Sequence, residues 1–350
     1  MSLINKYRPK QFSEVKGQDK IVQTLINSIK LNKLHNGYLL AGKYGTGKTT
    51  VARLLAKAVN CKNFKNDVCN KCSSCLDAQT DIQEIDAASN RGIDEIRKIK
   101  RNSGLIPFFK KYKVYIIDEA HALTSQASNA FLKTLEEPSS RTKFILCTTE
   151  PGKLLATIKS RCLPFYFVPI RFYDIKDKLE EITQKEGYNL KDSKILFKIA
   201  ERSNNTLRDA INYLDLCLQN TEDKTLTLDI IETTLGLIDD KKIYELIDYL
   251  VVNRPQKFFT VISSLVSNGK KYEDIIVYLR GQVKEMIFVK KGLTKNISPY
   301  KLKIIKEKNY PIDKLFKILT TLSKAINLIQ GVVIPKDIVE LAFLQIFLNK

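Results

Sequence analysis

Eight consecutive residues, Gly42-Lys43-Tyr44-Gly45-Thr46-Gly47-Lys48-Thr49, have types and spacing suited to gripping a polyphosphate. Glycines let successive backbone N–H groups curl around phosphate oxygens, and the N-terminus of a following helix favours the anion. In such a loop the lysine reaches the β- and γ-phosphates and the neighbouring hydroxyl ligates Mg²⁺, roles that fall on Lys48 and Thr49. Three of the chain's fourteen glycines lie here. A Gly-rich turn that binds nothing is the alternative, and an apolar run before the loop with a helical pattern from Thr50 to Val59 after it argues against that.

A second run, Val114-Tyr115-Ile116-Ile117-Asp118-Glu119-Ala120-His121, is apolar and ends in two adjacent acids. Asp118 would hold Mg²⁺ directly or through water, and Glu119 would orient or deprotonate an attacking water. On its own it could be a buried strand ending in solvated acids. His121, at the start of the next loop, reads as a packing or switch residue rather than a general base. With only two histidines and no tryptophan, acid/base chemistry has to rest on carboxylates, Lys, Arg or bound metal.

Cys61, Cys69, Cys72 and Cys75 crowd into fifteen residues of a chain with seven cysteines. Four thiolates so spaced suit a closed tetrahedral Zn²⁺ site, which is structural because no position is left for water. An iron–sulfur cluster and a loop of free thiols are the competing readings. Cys147, Cys162 and Cys217 stand alone and read as small buried hydrophobes.

The elements that must carry these groups are legible from periodicity. Tyr38–Gly42, Ile82–Asp86, Lys113–Asp118, Phe144–Thr149 and Leu163–Phe167 are short β-rich runs separated by helical patterns, which predicts a five-stranded parallel sheet covered on both faces. From Phe172 onward strand signals fade. Ile175, Leu179 and Ile182, then Ile195, Leu196, Ile199 and Ala200, then Leu207, Ile211, Leu214 and Leu218 recur at helical spacing. Asp239 to Lys242 read as a polar junction before an all-helical remainder punctuated by Pro255, Pro299, Pro311 and Pro335. The expected domains are therefore 1–170, an α/β P-loop domain with a cysteine module at about 60–78; 171–237, a small helical domain; and 238–350, a helical bundle.

Length supports two or three cores, and 44% hydrophobic with 27% charged residues is ordinary for a globular chain. No run reaches the ~18 apolar residues of a membrane span, and Met1–Lys10 lacks the apolar core of a signal peptide, so a cytoplasmic protein without membrane partners is expected. The net charge of +20 favours polyanionic partners, although 46 of the 58 cations are Lys, as in any lysine-rich proteome.

Together these stretches, with Tyr7-Arg8-Pro9, Glu84-Ile85-Asp86-Ala87-Ala88-Ser89, Leu132-Lys133-Thr134-Leu135-Glu136-Glu137-Pro138 and Ser160-Arg161-Cys162, resemble the bacterial DNA polymerase III gamma/tau family of AAA+ sliding-clamp-loader ATPases. The likeness is dense from about residue 3 to 237. Beyond residue 240 it is a helical pattern of the length that the family's collar domain would need.

The resemblance implies Mg²⁺-dependent ATP hydrolysis that loads the beta clamp onto primer-template DNA at replication forks, with structural Zn²⁺ held by the four cysteines. It also implies assembly with delta and delta prime subunits and with copies of the chain itself. Arg8, Pro9 and Thr50 join the nucleotide-contact set. Thr149 matches the sensor-1 position, Arg161 an arginine finger acting in trans on the neighbouring subunit's ATP, and Arg208 the sensor-2 residue of its own site. Twelve arginines in 350 residues give those two matches some weight against a reading as surface or ion-pair arginines. Ser89, Asn90, Arg91, Gly92 and Ile93 are expected to start a helix that meets a DNA phosphate, followed by Arg97, Lys98, Lys100 and Arg101, with Ser125 and Gln126 at the next helix start. A solvated charged face is the alternative.

The family's longer member has a C-terminal extension, so a chain ending at Lys350 corresponds to the short form or to a truncated long one. Two other readings compete. A non-hydrolysing structural subunit resembling delta prime would keep the cysteines and the finger arginine but lack intact Gly47-Lys48-Thr49 and Asp118-Glu119. A branch-migration or remodelling AAA+ motor would lack the cysteine knuckle and Ser-Arg-Cys.

Overall fold

The computed structural model describes residues 2–76, 81–221, 223–294, 297–329 and 335–348. The backbone divides into two compact units, one formed by Met1–Gly187 with Lys198–Asp215 and the other by Tyr188–Phe197 with Leu216–Lys350.

In the first unit the five apolar runs form β1 (Gly37–Ala41), β2 (Ile82–Asp86), β3 (Lys113–Asp118), β4 (Thr142–Thr148) and β5 (Leu163–Tyr166). They pair in parallel in the order β2-β3-β4-β1-β5. Alternation along each strand sends side chains to opposite faces. Tyr38, Leu40, Val114, Ile116, Ile145 and Cys147 pack with Val51, Ala52 and Leu55 of the helix Lys48–Ala58. Leu39, Tyr115, Ile117, Phe144 and Leu146 pack with Ile96, Ile99, Ala127 and Phe131 from the helices Ile93–Ser103 and Ser125–Glu136. β1 and β4 are buried along their whole length, so the sheet is fixed where the phosphate loop leaves β1. In parallel sheets of this kind ligands sit beyond the carboxyl ends of the strands, the end at which Gly42, Asp118 and Thr149 all lie.

The second unit contains a short parallel pair, β6 (Asn189–Leu190) with β7 (Thr225–Leu226), where the sequence predicts helix only. Two residues per strand are too few to leave a period-2 signature. Its remaining core comes from helices including Asp240–Val252, Pro255–Ser267, Tyr272–Lys290, Pro299–Glu307, Ile312–Ile329 and Pro335–Leu348. Pro255, Pro299 and Pro335 open their helices, where a missing N–H costs nothing. The polar stretch read as a junction is itself a helix start: Asp239 caps Asp240–Val252 by accepting from Lys241 N at 2.9 Å, and Asp240 is buried. No helix among the described residues is long and apolar enough to cross a membrane.

Candidate nucleotide and metal sites

The loop between β1 and the helix Lys48–Ala58 needs its glycines at specific points. Gly47 caps that helix with φ 99° and Gly45 has φ 73°, backbone that L side chains rarely adopt. A Cβ on Gly42 would lie 2.7 Å from the Phe167 carbonyl oxygen, so the crossing there admits only glycine. The loop carries Lys48 at the first turn of the helix, buried, with Nζ donating to the carbonyls of Gly42 (2.9 Å) and Lys43 (3.0 Å). Burial depresses the Lys48 pKa, and the carboxylates of Glu119 and Asp118 oppose that shift. Desolvation thus outweighs the nearby carboxylates, and a bound polyphosphate would favour the charged form of Lys48.

Thr49 Oγ1 donates to Asp118 Oδ2 at 2.8 Å. Burial raises the Asp118 pKa, the Thr49 hydroxyl and the Glu119 N–H lower it, and the Glu119 and Glu84 carboxylates raise it further. A hydroxyl and a carboxylate in contact at the end of the phosphate loop are a donor set that suits a hard cation such as Mg²⁺. Glu119 follows in left-handed backbone (φ 46°), and its Oε2 accepts from Thr149 Oγ1 at 3.1 Å.

One pocket gathers Tyr44 to Thr50, Arg53, Glu84, Asp118 and Glu119 with Arg8, Pro9 and Arg208. Gly42 and Lys43 are outside its lining and act through the carbonyls that hold Lys48. The Arg208 guanidinium lies 4.7 Å from the Tyr44 ring centre and donates to the Tyr44 hydroxyl. Sequence reasoning missed the apolar wall of Ile4, Val15, Ile170, Leu207 and Ile211, which suits a flat base. It also missed the Arg53–Glu84 pair, whose two hydrogen bonds are both 2.6 Å. Leu207 and Ile211 share one helix at helical spacing, but the rest come from separate elements with no common spacing, and only Tyr7-Arg8-Pro9 hinted at the wall.

Arg161 is not in this pocket. It ends the helix Ala156–Ser160 and donates to Glu136 Oε1 (2.7 Å) and the Thr157 carbonyl (2.9 Å). Of the DNA candidates, Ser89 to Gly92 precede their helix rather than begin it. Asp86 accepts from Ala88 N (2.8 Å) and Ser89 Oγ (2.6 Å), which fixes a turn, and the helix runs Ile93–Ser103. Asp94 pairs with Arg97 (3.2 Å) and Glu95 with Lys98 (3.0 Å), while Arg91 donates to the Ala88 carbonyl (2.7 Å). Asn90, Arg91, Lys100 and Arg101 are exposed. Ser125 and Gln126 open the next helix behind a Thr124 cap and are exposed as well.

The sulfur atoms of Cys61, Cys69, Cys72 and Cys75 all lie within 4.8 Å of one another, and none is in a disulfide. Zn–S bonds of about 2.3 Å at tetrahedral angles put sulfurs about 3.8 Å apart. Cys69 and Cys75 are 3.8 Å apart. Asn70, at φ 55°, turns the chain so that Cys72 N donates to Cys69 Sγ at 3.3 Å. The set fits a tetrahedral thiolate-bound metal. Residues 77 and 78 of the expected module lie outside the described residues.

Fold and pocket together define a P-loop nucleotide-binding unit of AAA+ type. Residues 17–171 match the family model described as DNA polymerase III, delta subunit, and residues 177–217 that of the RCF1/5-like AAA+ ATPase lid domain. The DNA polymerase III subunit gamma/tau of Mycoplasma pneumoniae is 43% identical over 238 residues, 67% of this chain and 35% of that protein. The DNA polymerase III subunit gamma of Buchnera aphidicola subsp. Schizaphis graminum is 36% identical over 280 residues, 79% of this chain and 77% of that protein. Among solved structures, the Thermotoga maritima RuvB Holliday junction branch migration motor is 20% identical with a TM-score of 0.52, covering 71% of this chain and 80% of that one, a likeness of fold. The chain belongs to the DNA polymerase III gamma/tau family. It spans 35% to 45% of the length of the first gamma/tau relatives.

Proposed function

We propose that the chain is the ATP-driven motor subunit of a bacterial replicative clamp loader. It binds Mg-ATP, assembles with delta and delta prime subunits and with copies of itself, and uses hydrolysis to load the beta sliding clamp onto primer-template DNA in the cytoplasm. The observation that carries this reading is the contact between Thr49 and Asp118 beside Lys48 and Glu119, a phosphate-, metal- and water-handling set in a gamma/tau family member. Bound Mg²⁺ would neutralise charge on the phosphates. Thr49 and Asp118 hold the ion, Lys48 binds the β- and γ-phosphates, and Glu119, oriented by Thr149, takes the proton of the attacking water. Arg208 reads the γ-phosphate of its own site, and Arg161 serves a neighbouring one.

Within this reading residues 1–170 are the ATPase domain, 171–237 the lid and 238–350 the collar. Cys61, Cys69, Cys72 and Cys75 hold structural Zn²⁺. Asn90, Arg91, Arg97, Lys98, Arg101, Ser125 and Gln126 face DNA phosphates, although the Asp94 and Glu95 pairings leave Arg97 and Lys98 less charge to offer. The match of residues 17–171 to a delta-subunit description favours a non-hydrolysing structural subunit as the second reading, and the intact Lys48, Asp118 and Glu119 weigh against it.

ATP turnover measured with and without primed DNA and beta clamp tests the proposal. Stimulation by both, falling steeply with salt as phosphate contacts release counterions, is expected. Turnover indifferent to both would overturn it.

A further inference from the structure

His121 does not line the nucleotide pocket, yet it touches the residue that does the chemistry there. The Glu119 backbone is fixed on both sides, its N–H donating to Asp118 Oδ1 (3.0 Å) and its carbonyl accepting from Ala122 N (2.8 Å). What can still move is the side chain. Its Oε2 is met by Thr149 Oγ1 at 3.1 Å and by His121 Nδ1 at 3.4 Å. The imidazole is itself held, with Nδ1 3.1 Å from Thr148 Oγ1 and Nε2 3.5 Å from Glu150 Oε1. Lys153 donates to that same Glu150 oxygen at 3.0 Å. In the tautomer with its proton on Nδ1, the ring turns an N–H toward both oxygens, with Thr148 the nearer and the Glu119 carboxylate beside it. A long acidic side chain loses much rotamer freedom when two donors converge on one oxygen, and that fixed geometry is worth rate when the carboxylate must meet a water.

We propose that His121 is a positioning residue for Glu119: with Thr149 it holds the carboxylate toward the attacking water, and it sets the hydrolysis rate without contributing to nucleotide affinity. This rests on the reading of Glu119 as the base. Only the Nδ1 side of the ring does this work, and its 3.1 Å contact with Thr148 Oγ1 keeps the ring from turning.

The test is single-turnover cleavage of Mg-ATP by the 350-residue chain assembled with the other clamp-loader subunits, alongside binding of a fluorescent Mg-nucleotide. His121→Phe keeps a flat aromatic ring, somewhat larger, and loses the N–H; it should slow cleavage by about 10- to 100-fold with nucleotide affinity unchanged within about twofold. His121→Asn places an amide N–H where Nδ1 stood and should recover most of the rate. In a Glu119→Gln background, His121→Phe should add no further loss, because the group it positions is gone. A Phe variant that cleaves at the unmodified rate, an Asn variant as slow as Phe, an equal further loss in the Gln background, or a parallel loss of nucleotide affinity would each overturn the role of His121 alone. A Glu119→Gln chain that hydrolyses normally would instead overturn the reading of Glu119, and the role of His121 with it.

Discussion

Thr49 and Asp118, 69 residues apart in sequence, meet through a 2.8 Å hydrogen bond at the mouth of the phosphate loop. One comes from the first turn of a helix and the other from the end of β3, so the contact depends on β1, β3 and β4 being in register. Thr49→Ala should weaken Mg-ATP binding by at least about tenfold, or 1.4 kcal/mol, and leave binding in EDTA unchanged. Titration of a fluorescent nucleotide with and without Mg²⁺ checks this; equal losses in both conditions would mean that Thr49 is not a metal ligand.

Lys48 is a buried cation whose charged form is disfavoured by desolvation before any phosphate arrives. A lysine with a folded pKa below its unfolded value costs stability while charged. Lys48→Ala should therefore leave Tm unchanged or slightly higher in the absence of nucleotide, apart from the packing lost with its methylene stem. Nucleotide affinity should fall on the order of a hundredfold, about 3 kcal/mol, the scale of lost hydrogen bonds to a charged group. Calorimetric unfolding and nucleotide titration on the same preparation separate the two effects.

The cysteine module is tied to the N-terminal wall of the pocket. Asp67 accepts from Phe12 N (2.8 Å) and Ser13 N (2.9 Å), and Asn70 Nδ2 donates to the Lys10 carbonyl (3.1 Å). That segment continues into Glu14, Val15 and Lys16, which line the pocket. Zinc bound by small thiolate modules contributes about 10–16 kcal/mol to local folding. Elemental analysis should find one zinc per chain and no iron. Stripping it should expose the segment around residues 61–75 to proteolysis and weaken nucleotide binding a few-fold. A brown, iron-containing protein would contradict the zinc assignment.

Asp81 is a buried carboxylate that receives the backbone N–H groups of Phe108 (2.9 Å), Phe109 (2.9 Å) and Lys110 (3.0 Å). Burial raises its pKa, but the three N–H groups and Lys113 outweigh it and hold the carboxyl below the usual range. A depressed carboxylate pKa contributes stability that is complete above the unfolded value, near 3.9, and is lost as pH falls through the folded value. Asp81→Asn cannot accept all three bonds as well and should cost about 1–3 kcal/mol at neutral pH. Its denaturation midpoint should also depend less on pH below about 4. An unchanged midpoint would remove Asp81 as the anchor of the 105–110 loop.

The sheet and its two motifs were legible because each has a period or spacing that physics imposes: apolar runs for buried parallel strands, glycines for a phosphate loop, two acids ending a strand. The four cysteines were legible for the same reason. The start of the helix at Ile93 was not, because Asp86 diverts Ala88 and Ser89 into a turn through side-chain bonds that residue type alone does not reveal. Asp239 and Asp240 looked like a linker because capping residues and loop residues are the same types. The contacts of His121, which the sequence marks only as a packing or switch residue, and the Arg53–Glu84 pair were beyond reach for another reason: their partners come from other elements, and only the folded sheet brings them together.

The central claim is a hydrolytic site completed by a neighbouring subunit, and Arg161 tests it most directly. In its own subunit Arg161 is held by Glu136 and the Thr157 carbonyl, outside the pocket. An arginine supplied in trans is worth about 10³ to 10⁵ in rate, roughly 4–7 kcal/mol, where chemistry limits turnover. Arg161→Ala should bind ATP normally and hydrolyse it feebly, and Lys48→Ala should do neither. The measurement is the ATPase rate of the two variants mixed, in the presence of the other clamp-loader subunits: some interfaces then join an intact phosphate loop to an intact arginine, and activity above both parents is the predicted result. A mixture no more active than its parents, with an Arg161→Ala rate equal to that of the unmodified chain and independent of protein concentration, would contradict the account.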